Sequence, residues 1–342
     1  MVQKAKKFIL IFSLIFGLFG SILLTDNQTL ALTISPPLRE FTADPDTEFS
    51  DVIKLINEDD VEKTFYATIE GFRARGEKGE PEFFQTADET QLATWITLEE
   101  TAVTLKPREK REIEYTISVP EKASAGGHYA AIFWSSTPPQ MEEKTGVGVV
   151  TKVGSLILVR VSGEIKEEMR LIDFSTSQKF YNRLPVQFFV AFENSGNVHL
   201  KPMGEIEIEP KILGIGGGKI SVNEGGGNVL PKSIRRFDAS WQKTALPPSR
   251  ATNVVSRFFE ELKNEWKNFA LGSFEANLFV LFGATPPQTV ERTLTFYVFP
   301  WRVILVGLIA AILLILILAR LIRAYNRWII KKAKLKMQNA KG

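Results

Sequence analysis

The chain has 342 residues, 44% hydrophobic and 24% charged, with no cysteine, two histidines and a formal charge of only +3. That length allows two ordinary domains, and the missing cysteine excludes disulfide staples, thiolate metal sites and a cysteine nucleophile. With +2 on residues 1–31 and +9 on residues 300–342, the stretch between them carries −8, which argues against nucleic acid as its ligand.

The chain begins "MVQKAKKFILIFSLIFGLFGSILLTDNQTLALT". Lys4, Lys6 and Lys7 precede an apolar run from Phe8 to Leu24, and Thr29-Leu30-Ala31 is a small-residue cleavage site. This is the pattern of a secretory signal peptide over residues 1–31, with a retained anchor as the alternative.

Residues 32–165 read as a first β-sandwich. "DPDTEFSD" sets Asp44, Asp46 and Glu48 at alternate positions, but a calcium loop would need a glycine at its sixth position and a bidentate glutamate at its twelfth, where Leu55 stands. "NEDDVEK" reads as a hairpin turn between strands Val52–Ile56 and Thr64–Ile69. "REIEYTISVP" puts Ile113, Tyr115, Ile117 and Val119 on one face and polar residues on the other, the period of a half-buried antiparallel strand. His128 opens the strand after Gly126 and Gly127 and reads as hydrogen-bonded scaffold. A long apolar strand, Gly154 to Val161, ends at the charged stretch "VSGEIKEEMRLI", which sets the domain boundary.

Residues 166–300 read as a second sandwich. "VQFFVAFE" aligns Val186, Phe188, Val190 and Phe192, and "GEIEIEP" alternates Ile206 and Ile208 with glutamates. Between them lies "NSGNVHLKP". Its Asn194, Gly196 and Asn197 tolerate positive φ, which predicts a hairpin corner, with Pro202 marking an edge or bulge and His199 a hydrogen-bonded strand residue. "ILGIGGGKIS" fails as a phosphate loop, because Leu213 stands where the first glycine belongs and Ile220 where Ser or Thr belongs. It and "EGGGN" read as hairpin loops.

One segment breaks the β pattern. In residues 251–270, Ala251, Val254, Val255, Phe258, Phe259, Leu262, Trp266 and Phe269 recur at helical spacing, after Pro247 and Pro248 and before Gly272. The apolar face of this helix is expected to cover an open end or face of the second sandwich. The alternative is a docking surface for a partner or the outer leaflet, with Phe259, Leu262 and Trp266 as its contact residues.

Val303 to Ala319 is a run of 17 uninterrupted apolar residues, with Tyr297 and Trp301 ahead of it. Residues 301–322 therefore predict a transmembrane helix with an aromatic belt. The tail 323–342 is basic and acid-free, so the positive-inside rule puts it in the cytoplasm against anionic lipid. Leu321, Ile322, Tyr325, Trp328 and Ile329 share a helical face that can lie along the membrane.

Motifs for chemistry are missing: neither H-E-x-x-H nor G-x-S-x-G occurs, and the two histidines fall in different predicted domains. No metal, cofactor or catalytic residue is predicted. A carboxylate-based surface hydrolase remains a third class.

Two blocks resemble a known family. "TWITLEETAVTLKPREKREIEYTISVPEKASAGGHYAAIFWSS" (94–136) is similar to the N-terminal, peptidoglycan-binding domain of the WxL-interacting protein family of bacterial surface proteins. "FENSGNVHLKPMGEIEIEP", "NVLPKSIRRFDASWQ" and "TLTFYVFPWRVILV" follow the order of that family's host-binding domain and membrane anchor. The resemblance covers most of 32–325. Lys110, where a turn glycine is more usual, and the 251–270 helix depart from it. It implies a surface protein that binds cell wall and assembles with WxL-type proteins.

The sequence thus predicts an all-β chain of two tandem Ig-like antiparallel β-sandwiches, one inserted helix and a C-terminal transmembrane helix. The expected role is a non-enzymatic, single-pass surface protein that binds cell-wall polymer or another surface protein. The alternative is a membrane-tethered assembly chaperone for exported subunits.

Overall fold

The computed structural model describes residues 32–139, 151–211, 214–245, 251–284 and 286–339. The signal peptide expected over 1–31 lies outside the described residues. The chain divides into two compact units. The first runs through Phe72 and adds Phe83–Ser124 and His128–Gly163; the second takes Arg73–Glu82, Ala125–Gly127 and Glu164 onward.

Ten strands follow one another up to residue 161: β1 (Leu32–Ser35), β2 (Leu38–Ala43), β3 (Glu48–Asn57), β4 (Lys63–Arg75), β5 (Glu80–Phe84), β6 (Ile96–Leu98), β7 (Ala102–Leu105), β8 (Lys110–Ser118), β9 (Gly126–Ser135) and β10 (Lys152–Val161). A one-turn helix, α1 (Leu92–Trp95), precedes β6. One sheet has the order β1-β3-β8-β6; the other has β2-β10-β9-β4-β5, with β7 also on β4. The first strand pair is shared between sheets: β1 runs antiparallel to β3, and β2, two prolines later, runs parallel to β10. Period two in β8 does what the pattern demands, since Ile113, Tyr115 and Ile117 are all buried in the core with Ile53, Leu55, Phe65 and Trp134.

From residue 169 come β11 (Met169–Thr176), β12 (Phe180–Tyr181), β13 (Val186–Asn194), β14 (Met203–Pro210), β15 (Gly218–Ser221), β16 (Ser233–Trp241), the helix α2 (Val254–Lys267), β17 (Gly272–Phe282), β18 (Gln288–Val298) and the helix α3 (Trp301–Asn339). A three-stranded sheet, β11-β13-β16, faces a five-stranded one, β12-β18-β17-β14-β15. Val186, Phe188, Val190 and Phe192 are fully buried between them. Aromatic rings fill the middle: Phe188 meets Phe296 edge-on at 5.6 Å, and Trp241 meets Phe274 at 5.2 Å. Truncating any one of these phenylalanines to alanine costs about 3–5 kcal/mol.

The turn at "NSGNVHLKP" differs from the sequence reading. β13 and β14 belong to different sheets, so the chain crosses between sheets there instead of folding into a hairpin. None of Asn194, Gly196 and Asn197 has positive φ. Asn194 is fully buried; its Nδ2 donates to Val198 O at 2.7 Å and Val229 O at 2.8 Å, and its Oδ1 accepts from Gly196 N at 2.9 Å. Glycine is needed at 196 for close approach, because a Cβ there would sit 2.1 Å from Lys166 O. Asn197 closes the corner by donating to Glu164 O and accepting from Lys166 N. Pro202 lies just ahead of β14, a strand paired on both sides, and marks neither an edge nor a bulge.

The same device recurs in the first unit. "NEDDVEK" is also a crossing between sheets, from β3 to β4. Asn57 is fully buried, donates to Val61 O, Leu105 O and Lys106 O, and accepts from Asp59 N. The pattern N-x-x-x-V, Asn57 to Val61 and Asn194 to Val198, is therefore a structural repeat between the two sandwiches. The loop holding "EGGGN" likewise joins strands of different sheets, β15 and β16.

The helices also depart in detail. α2 starts at N-cap Asn253, whose side chain and Ser256 form a reciprocal capping box, and stops at Asn268, short of Gly272, which opens β17 with φ of 108°. α3 continues from the apolar run through the basic tail without a break at 322. Its Trp301–Ile330 segment is long and apolar enough to cross a membrane, with an 18-residue stretch of mean hydropathy 3.0 that is not buried.

Replacing Asn194 by alanine removes three hydrogen bonds and takes the donor from Val198 O, while Val229 O keeps Leu200 N and Gly196 N keeps Glu168 O. We expect it to destabilise the second unit by about 2–4 kcal/mol, read from urea unfolding of the full chain in detergent. Asn194→Asp keeps the acceptor but loses both donated bonds and buries a charge, so it should be at least as damaging. Equal stability of the parent and both variants would show that the corner is not a structural pivot.

Candidate functional site

A concavity lies along the open side of the second sandwich. It is a groove of about 700 Å³ between β15, the last strand of the five-stranded sheet, and β16, the last strand of the three-stranded one. Ser221 and Glu224 line one wall, Asp238 and Ser240 the other.

Backbone parity decides what these edges offer. In an antiparallel ladder every second residue turns its N–H and C=O away from its partner strand. Gln187, opposite Ser240, gives its carbonyl to Ser177 N on the β11 side, so this pair makes no backbone bonds across β13–β16. Ser240 and Asp238 therefore direct their backbone groups outward. Arg236 has the same parity, and its N–H is already bonded to Glu77 O of the Arg73–Glu82 segment of this unit. On the opposite wall Val222 N bonds Gly204 O, which by the same alternation turns Lys219 and Ser221 outward. Two strand edges thus border one groove.

Two arginines stiffen the β16 wall. Arg235 donates through Nη1 to Asn228 O at 2.7 Å, and its guanidinium lies 5.3 Å from the Phe237 ring centre. Its Nε is buried without a partner, and burial pushes its pKa down. Arg236 lies over Phe189 at 5.1 Å and bonds Asp238 Oδ1 at 3.0 Å.

A second arrangement sits where α2 meets α3. Glu265 is buried and accepts from Arg302 Nη1 at 2.7 Å, Arg302 N at 3.0 Å and Val303 N at 3.2 Å. It therefore caps the N-terminus of α3, where a carboxylate is favoured by the helix dipole. Arg302 also pairs with Glu261, which pairs in turn with Arg183 at 3.0 Å. At its other end α2 is held by buried Asn268, which accepts from Lys243 N and Thr244 N.

This docking reverses the expected role of the apolar face. The helix packs through Glu261, Glu265 and Asn268, and leaves its apolar stripe out: Phe259 is 62% exposed and Trp266 71%, with Leu262 half-buried. The stripe does not cover an end of the sandwich. The structure does not bring Phe259, Leu262 and Trp266 together with Asn194, Gly196 and Asn197, which hold an internal corner. The β16 edge was missed in the sequence. Its one signal is the pair Arg235-Arg236 within a strand, since charged residues are a common guard on exposed edges.

His128 is scaffold in geometry. It lies 2.9 Å from Ser124 O, and its ring centre is 4.5 Å from that of Trp95. Burial lowers its pKa, partly offset by hydrogen bonds to the backbone of Ser124 and Thr90. Among the described residues no group of three or more metal-ligating side chains converges.

No family model matches the chain, and no curated protein matches it. Solved structures show likeness in fold. The class 5 fimbriae chaperone CfaA is 12% identical with a TM-score of 0.37, over 77% of this chain and 98% of that one. A chaperone–tip adhesion subunit pre-assembly complex from archaic chaperone-usher Csu pili of Acinetobacter baumannii gives 12% and 0.33, over 60% and 89%. A PapD-like domain of a human protein gives 10% and 0.28, over 41% and 91%. At these values the likeness is one of Ig-like fold type and carries no partner or activity with it.

Removing the buried acid by Glu265→Ala should cost about 3–5 kcal/mol, since it leaves Arg302 buried with half its partners. Trypsin should then cut at Lys263 and Lys267 of the full chain faster than in the parent; unchanged cleavage would contradict the docking. For His128, the folded pKa lies below the unfolded value of about 6.5, so stability is complete above that pH and is lost as pH falls through it. The urea midpoint of the first unit should fall between about pH 7 and pH 5, and His128→Asn should flatten that fall.

Proposed function

We propose that this chain is a membrane-anchored, non-catalytic surface protein whose second Ig-like domain holds an extended segment of another exported protein, as a tethered assembly chaperone does. The observation that carries the reading is the groove between β15 and β16, with the outward backbone groups of Asp238 and Ser240 on one wall. An extended chain entering it can add a strand to the three-stranded sheet, which supplies affinity through main-chain bonds and tolerates varied sequence.

Several features support the arrangement. The apolar helix α3 is long enough to span, the basic residues lie behind it, and its apolar window is not buried against the rest of the chain. A tether of this kind raises the local concentration of the binding domain at the membrane where clients emerge. The similar structures include complexes of a chaperone with a tip adhesin or tip adhesion subunit; here the reading rests on the groove. If the resemblance to WxL-interacting proteins holds, WxL-type surface proteins are the clients to look for first.

The test places a photo-crosslinking residue at Ser240 and, as a control, at exposed Glu121, in the full chain in its native cell. Crosslinks from 240 but not 121 to exported proteins, strongest during export and lost in a Ser240→Pro variant of unchanged melting temperature, are the expected result. Proline removes the outward N–H and is tolerated on an edge strand. Crosslinks that are equal at both sites, or full-length protein that sediments with cell-wall sacculi and captures no exported protein, would overturn the reading in favour of a wall-binding adaptor.

A further inference from the structure

We propose that α2 lies in the lipid headgroup layer into which α3 inserts, with the stripe Val255, Phe259, Leu262 and Trp266 turned into the bilayer surface. The proposal rests on the reading of α3 as a membrane span.

At 100° per residue these four side chains form a single row along the helix. Val255, Phe259 and Trp266 are 65%, 62% and 71% exposed. A row of this kind left in water is unusual for a protein surface. The row is not the helix's packing face, because α2 is docked through the neighbouring flank that carries Glu261 and Glu265. That docking is to the first residues of α3, so the stripe is held at the level where the apolar segment starts. Phe258 extends the contact, with its ring centre 6.4 Å from that of Trp301, the type of residue that favours a membrane interface.

Charge points the same way. Glu261 and Glu265 are neutralised by Arg183 and Arg302. What α2 leaves exposed is Arg257, Lys263 and Lys267 against the single acid Glu260. An apolar row flanked on one side by Lys263 and Lys267, with tryptophan in the row, is the composition of a helix that lies in the plane of an anionic surface, its apolar side sunk about 5–10 Å. The second unit would then meet the membrane at two places, the span and α2, which fixes its tilt.

The chain's lack of cysteine allows a single introduced label in the full-length protein. Variants Phe259→Cys, Lys263→Cys and Ile312→Cys carry a nitroxide in vesicles of phosphatidylcholine and phosphatidylglycerol, and Trp266→Cys repeats the measurement at the other end of the row. Collision with oxygen, which concentrates in lipid, is compared with collision with a water-soluble nickel chelate. The expected oxygen-to-chelate ratio at 259 and 266 is severalfold above that at 263, and 312 favours oxygen as well. A label at 259 and 266 that meets chelate as readily as one at 263, with 312 still favouring oxygen, overturns the proposal and leaves the span intact. Chelate access at 312 overturns the span and the proposal together. Labels at 259 and 266 shielded from both probes would show a protein surface, a second copy or another chain, in place of lipid.

Discussion

Where a strand leaves one sheet of a sandwich for the other, its backbone groups lose the ladder that satisfied them. That constraint governs both halves of this protein. A buried unpaired carbonyl or amide costs on the order of 1–3 kcal/mol, and a crossing exposes several at once. Asn57 and Asn194 each meet the need with one side chain: an amide donating to carbonyls of two segments and an oxygen accepting from the residue two positions on. Both stand at the last residue of their strand, β3 and β13, where the chain crosses to the other sheet. The grooves and edges described above are positioned by sheets whose separation these corners set.

The second organising contact is ionic. Glu265 is a buried carboxylate that would be costly alone, but it receives a guanidinium and two helix N-terminal amides. That concentration of donors makes the start of α3 the place where α2 must sit. It also explains why the apolar stripe faces outward. A helix generally buries its apolar face because that is its largest favourable term; here the acidic flank is given a better partner, and the stripe is left for another surface.

Much of the architecture was legible in the sequence. Alternation in "REIEYTISVP" and "VQFFVAFE" named core residues that are buried in the structure. Helical spacing located α2, and the apolar run located α3. The corners were misread because asparagine and glycine serve hairpins and sheet crossings equally well, and local sequence does not say which sheet the next strand joins. The destination of the α2 apolar face was misread because Glu261 and Glu265, nominally solvent residues, find Arg302 some 40 positions away. The β16 edge carries almost no signal: whether a strand is central or terminal depends on partners distant in the chain, and "SIRRFDASW" has the same alternation as its paired neighbours. The groove, accordingly, is a property of topology more than of motif.

An open edge facing a second open edge is a feature that proteins usually guard. Two arginines and one contact with Glu77 guard part of it, and the stretch from Asp238 to Ser240 stays open. The most direct measurement is residue-resolved amide hydrogen exchange across β16 in the full chain in lipid, free and bound to a captured exported protein. The account predicts slow exchange at Phe237 and Ala239 in both states. Asp238 and Ser240 should exchange fast in the free state and become strongly protected on binding. Protection that is absent at 238 and 240 in the complex, or already complete in the free chain, would contradict the account.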